Sequence, residues 1–222
     1  MAALRMGQYG EYYGSHYDES AYLTQEEREI NAAYIYKYLS VEGWTVNAIA
    51  ALLGNMQTES TINPGCWQSH KIGNMKGGYS LTQWTPATKY IDWCGSDYPD
   101  PSEMDAALAR IIWEHDNVEQ FYKSKSYPIT FKQFAVSTKA PSWLAEAFLM
   151  NYEKPASVSY NPDDETYEEH LQKKAAALKQ RGDQANRWYE YLTGLPAPVV
   201  PGKVKRKGLP LLLMWAATRR KA

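Results

Sequence analysis

The sequence predicts a mainly α fold with one small irregular or β segment set into it. Three observations carry this. Apolar residues recur at helical spacing through most of residues 24–193. Capping residues stand at the starts of those runs. The one long stretch without periodicity, residues 65–100, is rich in Gly, Trp, Ser and Pro.

The elements follow in order. Residues 1–22, rich in Gly, Tyr and Ser, read as a loop or docking arm. Thr24-Gln25-Glu26-Glu27 has the form of a capping box and opens a helix with Ile30, Ala33, Tyr34, Tyr38 and Leu39 on one face, ending before Gly43. Thr45 caps a second helix, whose apolar set is Val46, Ile49, Ala50, Leu52, Leu53 and Met56. It is apolar nearly all round and is expected to be buried. Asn63-Pro64-Gly65 stops it, because the residue before Pro avoids the α region. A short β-hairpin is expected near Gly77-Gly78-Tyr79-Ser80. Pro101-Ser102 opens a helix carrying Leu108, Ile111, Ile112, His115, Val118 and Tyr122. Thr130 and Ser142 cap short helices around Phe131–Ser137 and Trp143–Tyr152, and Pro155 ends the second. A charged helix runs from about Asp164 to Leu192, with Gly182 as the candidate for a break and Gly194 as the stop.

Composition narrows the class. At 44% hydrophobic and 22% charged, the chain is neither disordered, fibrous nor membrane-spanning in type. Residues 195–222 carry seven basic and no acidic side chains, so the net charge of −1 leaves about −8 on residues 1–194. An acidic body argues against nucleic acid as partner. The organisation expected is an arm (1–23), a body (24–194), and a Pro-rich linker with a basic apolar tail (195–222). Leu209 to Ala217 is too short to span a bilayer. It suits docking on the body or a partner, or contact with a membrane surface. Met1–Gly14 shows no apolar signal region. Cys66 and Cys94 stand apart from any CxxC pair, and no two histidines have metal-ligand spacing, so neither a metal nor a cofactor is expected. The two thiols are either free or bridged.

Eighteen Tyr and eight Trp against four Phe point to core packing by amphipathic rings, or to several of them lining a wet groove. Glu59 stands at the end of the apolar second helix. A carboxyl in such a neighbourhood tends to keep its proton, and a protonated carboxyl can donate to a glycosidic oxygen.

The run Asn55-Met56-Gln57-Thr58-Glu59-Ser60, followed by Asn63-Pro64, comes first. It is followed by Ser80-Leu81-Thr82-Gln83-Trp84-Thr85-Pro86-Ala87-Thr88, then by Phe148 to Pro155 with Tyr152-Glu153-Lys154. In this order they resemble the motifs of bacteriophage tail lysozymes, within the superfamily of goose-type lysozymes and soluble lytic transglycosylases. The resemblance covers about residues 24–193. It implies a lysozyme-like (α+β) fold with its small segment at the cleft between residues 65 and 95. It also implies a virion-associated hydrolase that cuts the β-1,4 bond between N-acetylmuramic acid and N-acetylglucosamine, from the phage tail, in the host cell wall. Glu59 is then the general acid, and Ser80, Gln83, Trp84, Tyr79 and Tyr152 bind substrate. Glu153 is a second carboxylate, with Asp92 and Asp97 as alternatives; the substrate's acetamido group would serve if there is none. Residues 195–222 would meet other tail proteins. Two departures stand out. Ser80 replaces the superfamily's usual Gly, which puts the local backbone in question. The third segment lacks the Ala-Tyr-Asn-Ala-Gly form of the transglycosylases, which favours hydrolysis. The alternatives are a lytic transglycosylase with the same acid and a tail protein that binds peptidoglycan without cutting it.

Overall fold

A computed structural model describes residues 1–198. The remaining residues, with the second half of the linker and all of the basic apolar tail, lie outside the described residues. The chain begins with an antiparallel hairpin, β1 (Ala3–Gly7) and β2 (Gly10–Gly14), in register from Ala3 opposite Gly14 to Gly7 opposite Gly10. Seven α-helices follow among the described residues: α1 (Gln25–Val41), α2 (Val46–Ser60), α3 (Thr88–Cys94), α4 (Met104–Asn117), α5 (Phe131–Ala135), α6 (Pro141–Phe148) and α7 (Tyr167–Thr193). The fold is mainly α, as the periodicity predicts.

Caps set the main helix starts. Thr24, Thr130 and Thr166 each form a reciprocal capping box, and the Thr45 hydroxyl accepts from Ala48 N–H. Each such cap is worth about 1 kcal/mol. The apolar character of α2 puts it at the centre. Every residue from Ala48 to Met56 is buried, and α7, α6 and α1 pack around it. Burial of Ile49, Leu52 and Leu53 contributes roughly 1.5–3 kcal/mol each.

Several expectations change. The arm is a regular hairpin, because a two-residue Gln8-Tyr9 turn between Gly7 and Gly10 lets the strands pair. It is also docked: Arg5 binds Asp100 at 2.6 Å and the Ser102 hydroxyl at 2.8 Å. Near Gly78 there is no full hairpin, only single bridges from Tyr79 to Trp67 and to Trp84. Helix α3 was not anticipated in that irregular stretch. Ser102 is not a cap; Glu103 precedes α4, which ends at Asn117 because Val118 turns left-handed (φ 57°). Val118 and Tyr122 are therefore exposed rather than core. Pro141 at the first turn, not Ser142, starts α6, and a π-helical turn (Leu149–Glu153) continues it. Helix α7 starts at Tyr167 and runs unbroken through Gly182.

The α2–α7 contact depends on Gly54. A β-carbon there would sit 2.8 Å from the backbone N of Ala185 and 2.9 Å from the carbonyl O of Arg181. Neither can step aside without moving α7. Gly54→Ala is therefore expected to destabilise the protein by about 1–3 kcal/mol, as overpacking does. The midpoint of urea unfolding checks this.

Candidate active site

Glu59 lies in the last turn of α2, with 21% of its side chain exposed. The two residues after the helix, Thr61 (φ 55°) and Ile62 (φ 62°), are both β-branched and both left-handed. Such a turn costs free energy and persists only where its surroundings enforce it. Here they do. The Thr61 hydroxyl accepts from Leu23 N–H at 2.8 Å, and the Ile62 carbonyl accepts from the Asn31 amide at 2.8 Å. The buried Ser60 hydroxyl donates to Leu81 O at 2.9 Å, tying α2 to the cleft loop. Asn63 is buried with its amide fully used. Its oxygen accepts from Ser15 and Gly65 N–H, and its nitrogen donates to the Ser15 hydroxyl and Ala21 O. Gly65 leaves room for this docking, since a β-carbon there would lie 2.2 Å from Ser15 O. Ser60 and Asn63 thus hold the backbone that presents Glu59.

Glu59 borders a cleft of about 540 Å³, also lined by Tyr22, Gln68, Ser69, Thr82, Gln83, Lys89, Gln120 and Glu153. Its Oε1 accepts from Arg181 Nη2 of α7 at 2.6 Å. The same nitrogen is 3.7 Å from Glu153 Oε2, too long for a hydrogen bond. Glu153, last in the π-helical turn, has only 4% of its side chain exposed, and neither carboxyl oxygen has a hydrogen-bond partner. Burial, and then the charge of Glu59, hold its carboxyl well above the ordinary range.

The residues expected to bind substrate divide. Gln83 is at the cleft, half-buried, with its amide donating to Cys66 O and Ser80 O, so part of it braces the loop. Tyr79 and Trp84 are fully buried and Tyr152 nearly so. They correct the groove-lining expectation: their rings pack in the core behind the cleft. Trp84 stacks on Tyr90 at 4.5 Å and Tyr152 on Phe148 at 4.4 Å, while Tyr79 packs tilted against Trp67 at 4.3 Å. Ser80 is buried too, and it adopts φ 71°, the left-handed conformation its glycine counterpart would take freely. Asp92 and Asp97 do not border the cleft. Cys66 and Cys94 are buried free thiols, and burial pushes each up to about 11.

Trp84 and Tyr152 converge on a residue the sequence reading missed. Glu114 of α4 is fully buried. It accepts from Trp84 Nε1 at 2.9 Å, from Arg110 Nε at 2.9 Å, and from the Tyr152 hydroxyl. Burial raises its carboxyl above the usual range, and the hydrogen bonds from Tyr152 and Arg110 oppose this. The second and third motifs are therefore joined through Glu114, behind the cleft floor. Its signal was a carboxylate between Ile111 and His115 on an apolar face. Arg181 was missed likewise, though it shares a stripe with Ala185, Trp188 and Leu192. Tyr22, exposed at the cleft and edge-on to His70 at 4.1 Å, comes from the arm.

A second hollow of about 720 Å³, between the arm and α3, carries Asp18, Glu19 and Asp100; Glu59 is not part of it.

A mainly helical body with a small two-stranded sheet, built around a buried central helix, is a lysozyme-like fold. The chain belongs to the phage tail lysozyme family, whose sequence model matches residues 30–192. It is also 46% identical over 178 residues to "Morphogenesis protein 1" of Bacillus phage B103. The match covers 80% of this chain and 43% of the relative's length, so the chain spans less than half of that protein.

Replacing Glu114 by Ala leaves Arg110 buried and unpaired, with an expected cost of about 3–5 kcal/mol. Tyr152→Phe removes the donor to Glu114 and the weaker contact with the Thr82 hydroxyl, and about 1.5–3 kcal/mol is expected. Guanidinium unfolding of the two variants should rank them in that order.

Proposed function

We propose that the chain is a muramidase of the phage tail, opening the host wall locally at infection. It cuts the β-1,4 bond between N-acetylmuramic acid and N-acetylglucosamine. The observation that supports this most is the position of Glu59. Of the two carboxyls that the described residues bring to the cleft it is the one with the more open side chain, and a strained, over-determined turn fixes it there. Glu59 gives its proton to the bridging oxygen as that bond breaks. Water supplies the hydroxyl for the sugar carbon left behind, and its second proton returns to the Glu59 carboxylate. Glu153 is too enclosed to attack the sugar, so the cationic sugar is met by water or by the substrate's own acetamido group. Gln83, Thr82 and Gln68 offer hydrogen bonds along the cleft, and Tyr22 offers an open ring face.

A second reading has a specific observation behind it. The relative is named a morphogenesis protein and not a lysozyme. On that reading the chain is a tail component that binds peptidoglycan without cutting it. A lytic transglycosylase using the same acid is a variant of the first reading.

Purified protein is expected to clear bacterial cell walls. Glu59→Gln should lose about 10²–10⁴-fold of the rate, the range for a positioned general acid, while wall binding persists. Turbidity and pull-down assays check both. Fragments that gain one water per cut identify the hydrolase, and 1,6-anhydro ends identify the transglycosylase. Binding by the wild type without any released fragment supports the tail-component reading.

A further inference from the structure

The ion pair raises a difficulty for the acid. Arg181 Nη2 lies 2.6 Å from Glu59 Oε1, so the guanidinium occupies the oxygen of the group that must carry the proton to be donated. Across the same guanidinium sits Glu153, 4% exposed, its two oxygens without hydrogen-bond partners; Arg181 Nε is unpartnered as well. A buried carboxyl in that condition is costly in either protonation state unless something changes hands. One cation facing two carboxyls is neutral only if one proton is shared between them.

We propose that Glu153 is a positioning residue that shares this proton with Glu59 across Arg181, so that the guanidinium's ion pair and the proton exchange places. With the proton on Glu153, Arg181 pairs with Glu59, as the distances of 2.6 and 3.7 Å describe. When the proton passes from the Glu153 carboxyl to Glu59, the Glu153 carboxylate takes Arg181 and Glu59 becomes the acid. The charge of the three groups is zero before and after. This rests on Glu59 being the acid. It accounts for a buried carboxyl with no other evident partner. Burial and the neighbouring charge of Glu59 both favour a proton on Glu153 at rest, in agreement with this order of events. The other titratable groups that face the cleft are Lys89 from α3, Cys66 from the loop and Tyr22 from the arm. None of them touches Arg181 in a hydrogen bond or ion pair.

The experiment is the pH profile of wall cleavage by the full chain, for wild type, Glu153→Gln, Glu153→Asp and Glu59→Gln. In Glu153→Gln no second carboxylate competes for Arg181, and the exchange can no longer hand a proton to Glu59. Cleavage at neutral pH should fall about tenfold or more with KM little changed. The alkaline limb should move down by about one pH unit or more, so that activity returns on acidification; a tenfold change corresponds to one such unit. Glu153→Asp should restore most of the wild-type limb. A loss that is equal at every pH, or a profile like the wild type's, overturns the proposal and leaves Glu59 as the acid. If Glu59→Gln cleaves as the wild type does, it is the functional reading that fails. Should Glu153→Gln not fold, carboxyl ¹³C NMR of the wild type decides. Two coupled steps for the pair support the exchange, and two independent single titrations contradict it.

Discussion

The contact between Glu59 and Arg181 is the one on which the rest of the site depends. It joins the last turn of α2 to the middle of α7, across 122 residues of chain. It forms only because the two helices approach closely enough for the backbone of α7 to lie over Gly54. That approach in turn needs α2 to be apolar on nearly every side. The core and the chemistry are therefore not separate layers. The burial that makes α2 the central helix also brings a cation to the carboxylate at its end.

The same economy holds on the other side of the cleft. Its floor is a loop with several left-handed residues, Ser80 and Gln83 among them, and no regular sheet to hold it. What holds it is a buried polar centre, Glu114, which gathers Trp84 from the loop and Tyr152 from the turn that carries Glu153. Aromatic rings fill the space behind. The richness in Tyr and Trp thus serves mainly to support the cleft from within. Amphipathic rings suit this place because their polar ends reach hydrogen-bond partners that Phe would leave unmet.

Much of the fold was legible in the sequence, for local reasons. Thr24, Thr45, Thr130 and Glu59's own helix announce themselves through caps and periodicity, which are properties of a few neighbouring residues. The motifs around Glu59, Gln83 and Glu153 were found in the right order, and the structure brings all three to one cleft. The assigned roles fared unevenly. Trp84, Tyr79 and Tyr152 were placed on the groove because a sequence motif does not say which way a ring points. Ser60 and Asn63, read as part of the motif around Glu59, are the ties of a strained turn. Arg181 and Glu114 were missed because their meaning lies in partners far along the chain. A charged residue on a helix reads as solvated until its stripe is seen to be buried. The hairpin of the arm was hidden for a related reason: Gly and Tyr suggest loop as readily as strand when no packing surface is in view.

The central claim is that the scissile bond of a peptidoglycan strand comes to rest at Glu59. A crystal structure of the Glu59→Gln variant soaked with a peptidoglycan tetrasaccharide tests it most directly. The account predicts sugar along the cleft lined by Tyr22, Gln68 and Gln83, with a bridging glycosidic oxygen within hydrogen-bond reach of the side chain at position 59. Sugar bound instead in the hollow between the arm and α3, with that cleft empty, would contradict it.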